Sequence, residues 1–145
     1  MVYLIIFIFI FLILIQAHIN RTNKKMILEQ TGLPISSHII IDEKHRKYNE
    51  NIYICLSTQC SICKKILFDF QKESKKNTFL VFTENKNVVN ELITEMNIKI
   101  NSNKIIYEVP EENLFLFVTP FVYITNKEGI IIKKKVINNI RELQS

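Results

Sequence analysis

Apolar and polar positions alternate along this chain in several distinct rhythms, and each rhythm predicts a different element. The first fifteen residues, MVYLIIFIFIFLILI, are apolar without a break after Met1. With Gln16 and His18 included, the stretch through Ile19 reaches the lower limit for a helix that spans a bilayer, about 17 residues. No polar face exists in the run, so a membrane span is expected in preference to a buried core helix. From Arg21 to Ser37 the chain turns polar, and Gly32 and Pro34 are expected to stop a helix leaving the membrane.

Beyond that connector the periods shorten. His38–Asp42 predicts a short strand, followed by a charged turn through Glu50. Asn51–Leu56 and Thr78–Thr83 are nearly all apolar, the pattern of central strands covered on both faces. Between them Ser61–Lys72 has amphipathic helical spacing, and Val88, Val89, Leu92, Ile93 and Met96 mark a second helix. Lys104–Val109 reads as a further strand, and Glu111–Phe117 as a single helical turn. Phe121–Thr125 and Ile130–Val136 form a hairpin across Asn126-Lys127-Glu128-Gly129, with Gly129 suited to a positive φ. Asn138–Gln144 closes the chain as a short helix.

The order β-α-β-α-β, then a hairpin and a helix, implies an α/β fold with a mixed central sheet flanked by helices. The division expected is an anchor at residues 1–19, a connector at 20–37 and one domain at 38–145. At 145 residues the chain is long enough for one compact domain and not two. Hydrophobic residues make up 48% and charged residues 23%, which excludes disorder. The formal charge of +5 is spread among acids and Asn without Arg-aromatic interleaving, so nucleic acid is not an expected partner. The abundance of Ile, Lys and Asn against two glycines fits an AT-rich genome better than it fits any activity.

Chemistry concentrates in Cys60-Ser61-Ile62-Cys63, set between the Asn51–Leu56 strand and the following helix. Two thiols three apart at a helix start can close a disulfide within one turn, the geometry of a redox pair. A purely structural disulfide over so small a loop would remove little chain entropy. A metal site needs about four ligands, and His18, His38 and His45 have no ligand-like spacing, so no metal is expected. The histidines read as surface or interfacial. Cys55, within the strand, reads as a small buried apolar side chain.

Cys60 at the helix N-terminus is favoured as a thiolate by free amide N–H groups and the helix dipole, and so is the expected nucleophile. Cys63, one turn deeper, is the expected resolving thiol. Lys64 and Lys65 read as solvated surface charges. Ser57-Thr58-Gln59-Cys60 also matches the Ser/Thr-x-x-Cys half of a peroxiredoxin site, but Tyr53 stands where the upstream Pro is expected. That leaves a thiol peroxidase, and a non-enzymatic membrane-tethered binding module, as alternatives.

About sixty residues after the Cys pair, Val118-Thr119-Pro120 opens the hairpin. The strand order and this Pro together resemble the thioredoxin arrangement, in which a cis-Pro faces the dithiol. The chain is further similar to membrane-anchored thioredoxin-like proteins of the methylamine-utilisation accessory type. The matching stretches are GLPISS, LSTQCSICKKIL, VTPFVYITNKEGII and KKKVINNIRELQS. The resemblance implies a thioredoxin-like fold behind one transmembrane helix and thiol–disulfide exchange through catalytic Cys60 and Cys63. It also implies a cis bond before Pro120, with Thr119 and Pro120 binding an extended substrate segment. No cofactor is implied beyond the redox-active pair. Its partners would be protein thiols or disulfides outside the cytoplasm, an upstream membrane or soluble redox donor, and the membrane through residues 2–19.

Two departures stand out. Ser61 occupies the position where relatives commonly carry Pro, which leaves the direction of exchange open. Ile54 occupies the position of the buried acid of thioredoxin, so Asp69 or Glu108 become the carboxylates to consider for proton transfer, beside water. The orientation signals conflict as well. Arg21, Lys24 and Lys25 follow the apolar run and would hold that flank in the cytoplasm, whereas a tethered dithiol serves disulfides outside it. The chemistry carries more weight here, and an uncleaved anchor with an extracytoplasmic domain is the expectation, since neither a basic leader nor a clear small-residue cleavage site precedes the connector.

Overall fold

The computed structural model describes residues 2–73 and 75–144. Helix α1 runs from Val2 to Gln30 and lies in a unit of its own; a second unit begins at Gly32. Within α1 the described side chains from Ile6 to Ile15 are exposed, and the window Ile6–Asn23 is long and apolar enough to cross a membrane. The helix continues past the apolar run, so residues 20–30 of the expected connector are helical.

In the second unit, five strands form one sheet in the order β3-β2-β1-β4-β5. They are β1 (Glu50–Leu56), β2 (Thr78–Phe82), β3 (Ile105–Ile106), β4 (Phe121–Asn126) and β5 (Ile131–Val136). Strands β1 and β2 are parallel with Ile54 opposite Leu80, and β1 and β4 are antiparallel with Ile54 opposite Val122. Every residue of β1 from Asn51 onward is buried, as the unbroken apolar run requires of a strand covered on both sides.

Helices α2 (Ser61–Glu73) and α3 (Lys86–Glu95) are the crossovers between the parallel strands. Cys63, Ile66, Leu67 and Phe70 form the buried stripe of α2, spaced at i, i+3, i+4 and i+7. They join Ile52, Ile54, Leu56, Leu80, Val122 and Ile140 in the main core. At roughly 1.5–3 kcal/mol for each large apolar side chain, this stripe fixes α2 on the sheet. Helix α3 begins at an Asn85 cap whose Oδ1 accepts the Val88 N–H at 3.0 Å. It ends where Asn97 takes a positive φ of 51°.

On the opposite sheet face, Tyr53 stacks on Phe79 and Phe121 meets Tyr123 edge to face. Loops cover this face and are tied to it by phenols. Tyr53 Oη donates to the His45 carbonyl at 3.2 Å, and Tyr123 Oη donates to the Leu114 carbonyl at 2.6 Å while accepting the Leu33 N–H at 2.7 Å. A Cβ on Gly32, which has φ +74°, would collide with Tyr123 Oη, so that close approach requires glycine.

Several expected elements are shorter than their patterns. The strand at His38–Asp42 reduces to one bridge between His38 and Ile130, and the pairing lies N-terminal of the expected strand: Ser36 N–H reaches the Ile131 carbonyl, Ile131 N–H the Ser37 carbonyl and Ile39 N–H the Gly129 carbonyl. The Lys104–Val109 strand contracts to Ile105–Ile106 at the other sheet edge. The Glu111–Phe117 turn and the closing helix become 3₁₀ turns at Glu111–Asn113 and Ile140–Gln144. His45 is buried against the edge of Phe79, not on the surface.

Candidate active site

Strand β1 ends at Leu56, the loop Ser57–Gln59 turns, and α2 starts at Ser61. Cys60 therefore stands at the cap position, its carbonyl accepting the Lys64 N–H at 3.1 Å and its own N–H donating to the Ser57 carbonyl at 3.3 Å. Cys60 is part exposed and Cys63 is buried one turn deeper. The Cys63 backbone N–H donates to Cys60 Sγ at 3.2 Å.

This arrangement separates the two thiols electrostatically. Burial works to raise the Cys60 pKa, but hydrogen bonds from the Cys63 side chain and amide, from Thr119 and from the Ile62 amide outweigh it, leaving Cys60 below an ordinary thiol. Cys63 is pushed up to about 12, by burial first and then by its hydrogen bond with Cys60. The exposed sulfur is the easily ionised one, and the buried sulfur keeps its proton.

Thr119 and Pro120 lead into β4, and Thr119 meets Cys60 there. The Thr119–Pro120 peptide bond is cis, Pro120 is buried, and the Thr119 carbonyl lies 3.6 Å from Cys60 Sγ. Fifty-nine residues of sequence thus separate two groups in contact. The antiparallel register, Cys55 opposite Phe121, brings the start of β4 to the end of β1 and so to the Cys pair.

A cavity of about 170 Å³ opens beside Thr119, lined among others by Cys55, Ser57, Glu111 and Leu116. Cys55 is fully buried on the sheet, and burial drives its pKa far above that of an ordinary thiol. It is part of the core. Among the described residues no three His, Cys, Asp or Glu side chains gather as metal ligands.

Among the described residues, neither of the two carboxylates singled out for proton transfer is hydrogen-bonded to Cys60 or Cys63. Asp69 is six residues beyond Cys63 on α2, about 9 Å along the helix axis, and lines a groove with Lys65, Asn139 and Arg141. Glu108 is exposed, with its backbone N–H bound to the Glu84 carbonyl at 3.2 Å. Lys64 and Lys65 are exposed to solvent.

The carboxylate that does engage the site loop is Glu84, which the sequence pattern did not single out. Its Oε1 accepts from Ser57 Oγ at 3.0 Å, the Thr58 N–H at 2.8 Å and Thr58 Oγ1 at 3.1 Å. Burial opposes its ionisation, yet these bonds, led by the Thr58 amide, hold its pKa below the usual carboxylate value. The only hint in the sequence was its place just beyond the second central strand, at the end of the sheet where the Cys pair sits. The Ser57 hydroxyl of the peroxiredoxin-like tetrapeptide is engaged by Glu84 and by the Gln59 N–H, which it accepts at 3.3 Å.

Comparison with known proteins bears on the fold. No protein-family model matches the chain, and no curated protein matches it. Solved structures do. The thioredoxin domain of a thiol-disulfide oxidoreductase from Bacteroides vulgatus superposes with a TM-score of 0.55 at 14% identity, over 77% of this chain and 96% of that one. A protein assigned to electron transfer from Aquifex aeolicus gives 0.50 at 14% identity, over 76% and 92%. StoA from Bacillus subtilis gives 0.46 at 22% identity, over 61% and 73%. The chain has a thioredoxin-like fold, as the strand order and the Pro loop led one to expect.

Proposed function

We propose that this chain is a thiol–disulfide oxidoreductase acting on protein substrates through Cys60 and Cys63, on a membrane-tethered domain outside the cytoplasm. The observation that carries the reading is the contact of one part-exposed, readily ionised sulfur with both the Cys63 amide and the carbonyl before cis-Pro120. The names of similar folds, a thiol-disulfide oxidoreductase among them, support it.

In the reducing direction the Cys60 thiolate attacks one sulfur of a substrate disulfide. The substrate S–S bond breaks, a mixed disulfide forms on Cys60, and the departing substrate thiolate is free to take a proton. Cys63 then loses its proton, to that thiolate or to water, and attacks Cys60 Sγ. The second substrate sulfur leaves as a thiolate that takes its proton from water, and two electrons have passed to the substrate while Cys60–Cys63 becomes a disulfide. The reverse sequence oxidises a substrate dithiol. Thr119 and Pro120 receive the substrate segment beside the sulfur, main chain against main chain. The exposed apolar run of α1 supports a tether, since a row of large aliphatic and aromatic side chains this long is stable in lipid and not in water.

The test is turnover of a protein disulfide by the full chain in detergent micelles, with Cys60→Ser and Cys63→Ser beside it. Cys60→Ser abolishes exchange, and Cys63→Ser accumulates mixed disulfides on Cys60. A chain that neither reduces a disulfide nor oxidises a dithiol at any redox poise, yet retains partners in both variants, is a binding module instead. Labelling of Cys60 in reduced intact cells with a membrane-impermeant thiol reagent tests the side of the membrane; complete protection moves the domain inside.

A further inference from the structure

The Ser57–Gln59 loop has few means of holding its own shape. It contains no proline to restrict it, and Thr58 is buried with both an amide and a hydroxyl to satisfy. Parallel pairing of β1 with β2 sets Leu56 opposite Phe82, so two residues further along each chain Thr58 comes opposite Glu84. One carboxylate oxygen of Glu84 there takes all three donors that Ser57 and Thr58 turn toward it. Glu84 is itself held. Its Oε2 accepts from Thr83 Oγ1 at 3.5 Å, and its carbonyl accepts the Glu108 N–H at 3.2 Å.

The chain of contacts then leads straight to the nucleophile. The Ser57 hydroxyl accepts the Gln59 N–H, and the Ser57 carbonyl accepts the Cys60 N–H. Cys60 is the residue whose sulfur must meet the Cys63 amide at 3.2 Å and the Thr119 carbonyl at 3.6 Å. We infer that Glu84 is a positioning residue for the dithiol: by gathering the Ser57 and Thr58 donors it fixes the loop that sets Cys60 Sγ against the Cys63 amide. The inference rests on the exchange reading of Cys60–Cys63 and adds the residue that keeps the attacking sulfur poised as a thiolate.

The physical reason lies in what removal would leave. Without the carboxylate, three donors in a part-buried loop lose their acceptor, and such a loop reshapes to find water. Cys60 then moves relative to an amide whose hydrogen bond favours its charged form, and the thiolate is lost with the geometry. On Cys60, Glu84 acts through the geometry of these bonds; its charge bears on the stability of the loop. A glutamine, which puts a side-chain carbonyl at the same point, is therefore expected to hold the loop well enough to keep Cys60 in place.

The experiment measures the rate of Cys60 alkylation by iodoacetamide against pH, on the reduced full chain in micelles, with mass spectrometry separating Cys60 from Cys55 and Cys63. For Glu84→Ala the midpoint moves up by about one pH unit and the neutral-pH rate falls about tenfold. For Glu84→Gln both stay within about threefold of the unsubstituted chain, since its acceptor remains. A Glu84→Ala protein that melts earlier but keeps the original Cys60 profile overturns the inference, and so does a Glu84→Gln protein as slow as the alanine variant. If Glu84→Ala does not fold, Thr58→Val decides: the inference expects a rate about twofold lower from loss of one of the three bonds, and an unchanged profile overturns it. Because the profile needs no partner, failure of the chain to turn over any protein disulfide would sink the exchange reading while leaving this measurement to judge Glu84 separately.

Discussion

The backbone N–H of Cys63 points at the sulfur of Cys60 across 3.2 Å. One residue thereby supplies both the buried thiol of the pair and a hydrogen bond that favours ionisation of the exposed one. The two sulfurs consequently titrate far apart, with Cys60 below an ordinary thiol and Cys63 pushed up to about 12. In the reduced chain at neutral pH, Cys60 is expected to alkylate faster than a free cysteine, whose pKa is about 8.5. Cys63 stays unmodified until strongly alkaline pH. Equal alkylation of both at neutral pH would contradict the separation.

Acid should act on the loop through Glu84. Its pKa in the folded chain lies below the ordinary value of 4.5. The stability it contributes is thus complete above that value and is lost as pH falls through the lower folded value. Melting temperature measured against pH for the native chain and for Glu84→Gln should show a gap that narrows on acidification. A gap that widens below pH 4.5 would reverse the sign of the linkage.

Phe70 anchors α2 in the core with 1% of its surface exposed. Phe70→Ala should cost about 3–5 kcal/mol by lost transfer energy and a cavity that the neighbouring Ile and Leu side chains cannot fill. Urea unfolding, read as a lower midpoint with an unchanged slope, measures it. A loss under ~1 kcal/mol would mean that the helix is held by something other than this stripe.

Tyr123 fastens two loops to the sheet, accepting from the Leu33 amide and donating to the Leu114 carbonyl. Tyr123→Phe keeps the ring and orphans both groups, for an expected loss of about 1–3 kcal/mol. Denaturation together with Cys60 alkylation separates the effects: stability should fall while the Cys60 rate holds.

Much of this architecture was legible because burial writes itself into local pattern. Asn51–Leu56 and Thr78–Phe82 are apolar on both faces and are central strands. The stripe Cys63, Ile66, Leu67, Phe70 has helical spacing and is the buried face of a helix. The edges were less legible. His38–Asp42 and Lys104–Val109 carry strand-like patterns, but an edge has a partner on one side alone, and the length of pairing depends on where that partner ends.

The site divides along the same line. By itself the sequence determined the two thiols at a helix start, the proline that opens the hairpin strand and the apolar segment ahead of both, because each is carried by neighbours in the chain. Only the tertiary structure decided which carboxylate holds the loop before Cys60. Asp69 and Glu108 were plausible from the sequence, yet one lies two turns along α2 and the other at the surface, while Glu84 receives the loop. The reason is that a hydrogen bond between residues 26 apart depends on strand register, set by packing across the entire sheet. No local spacing records it.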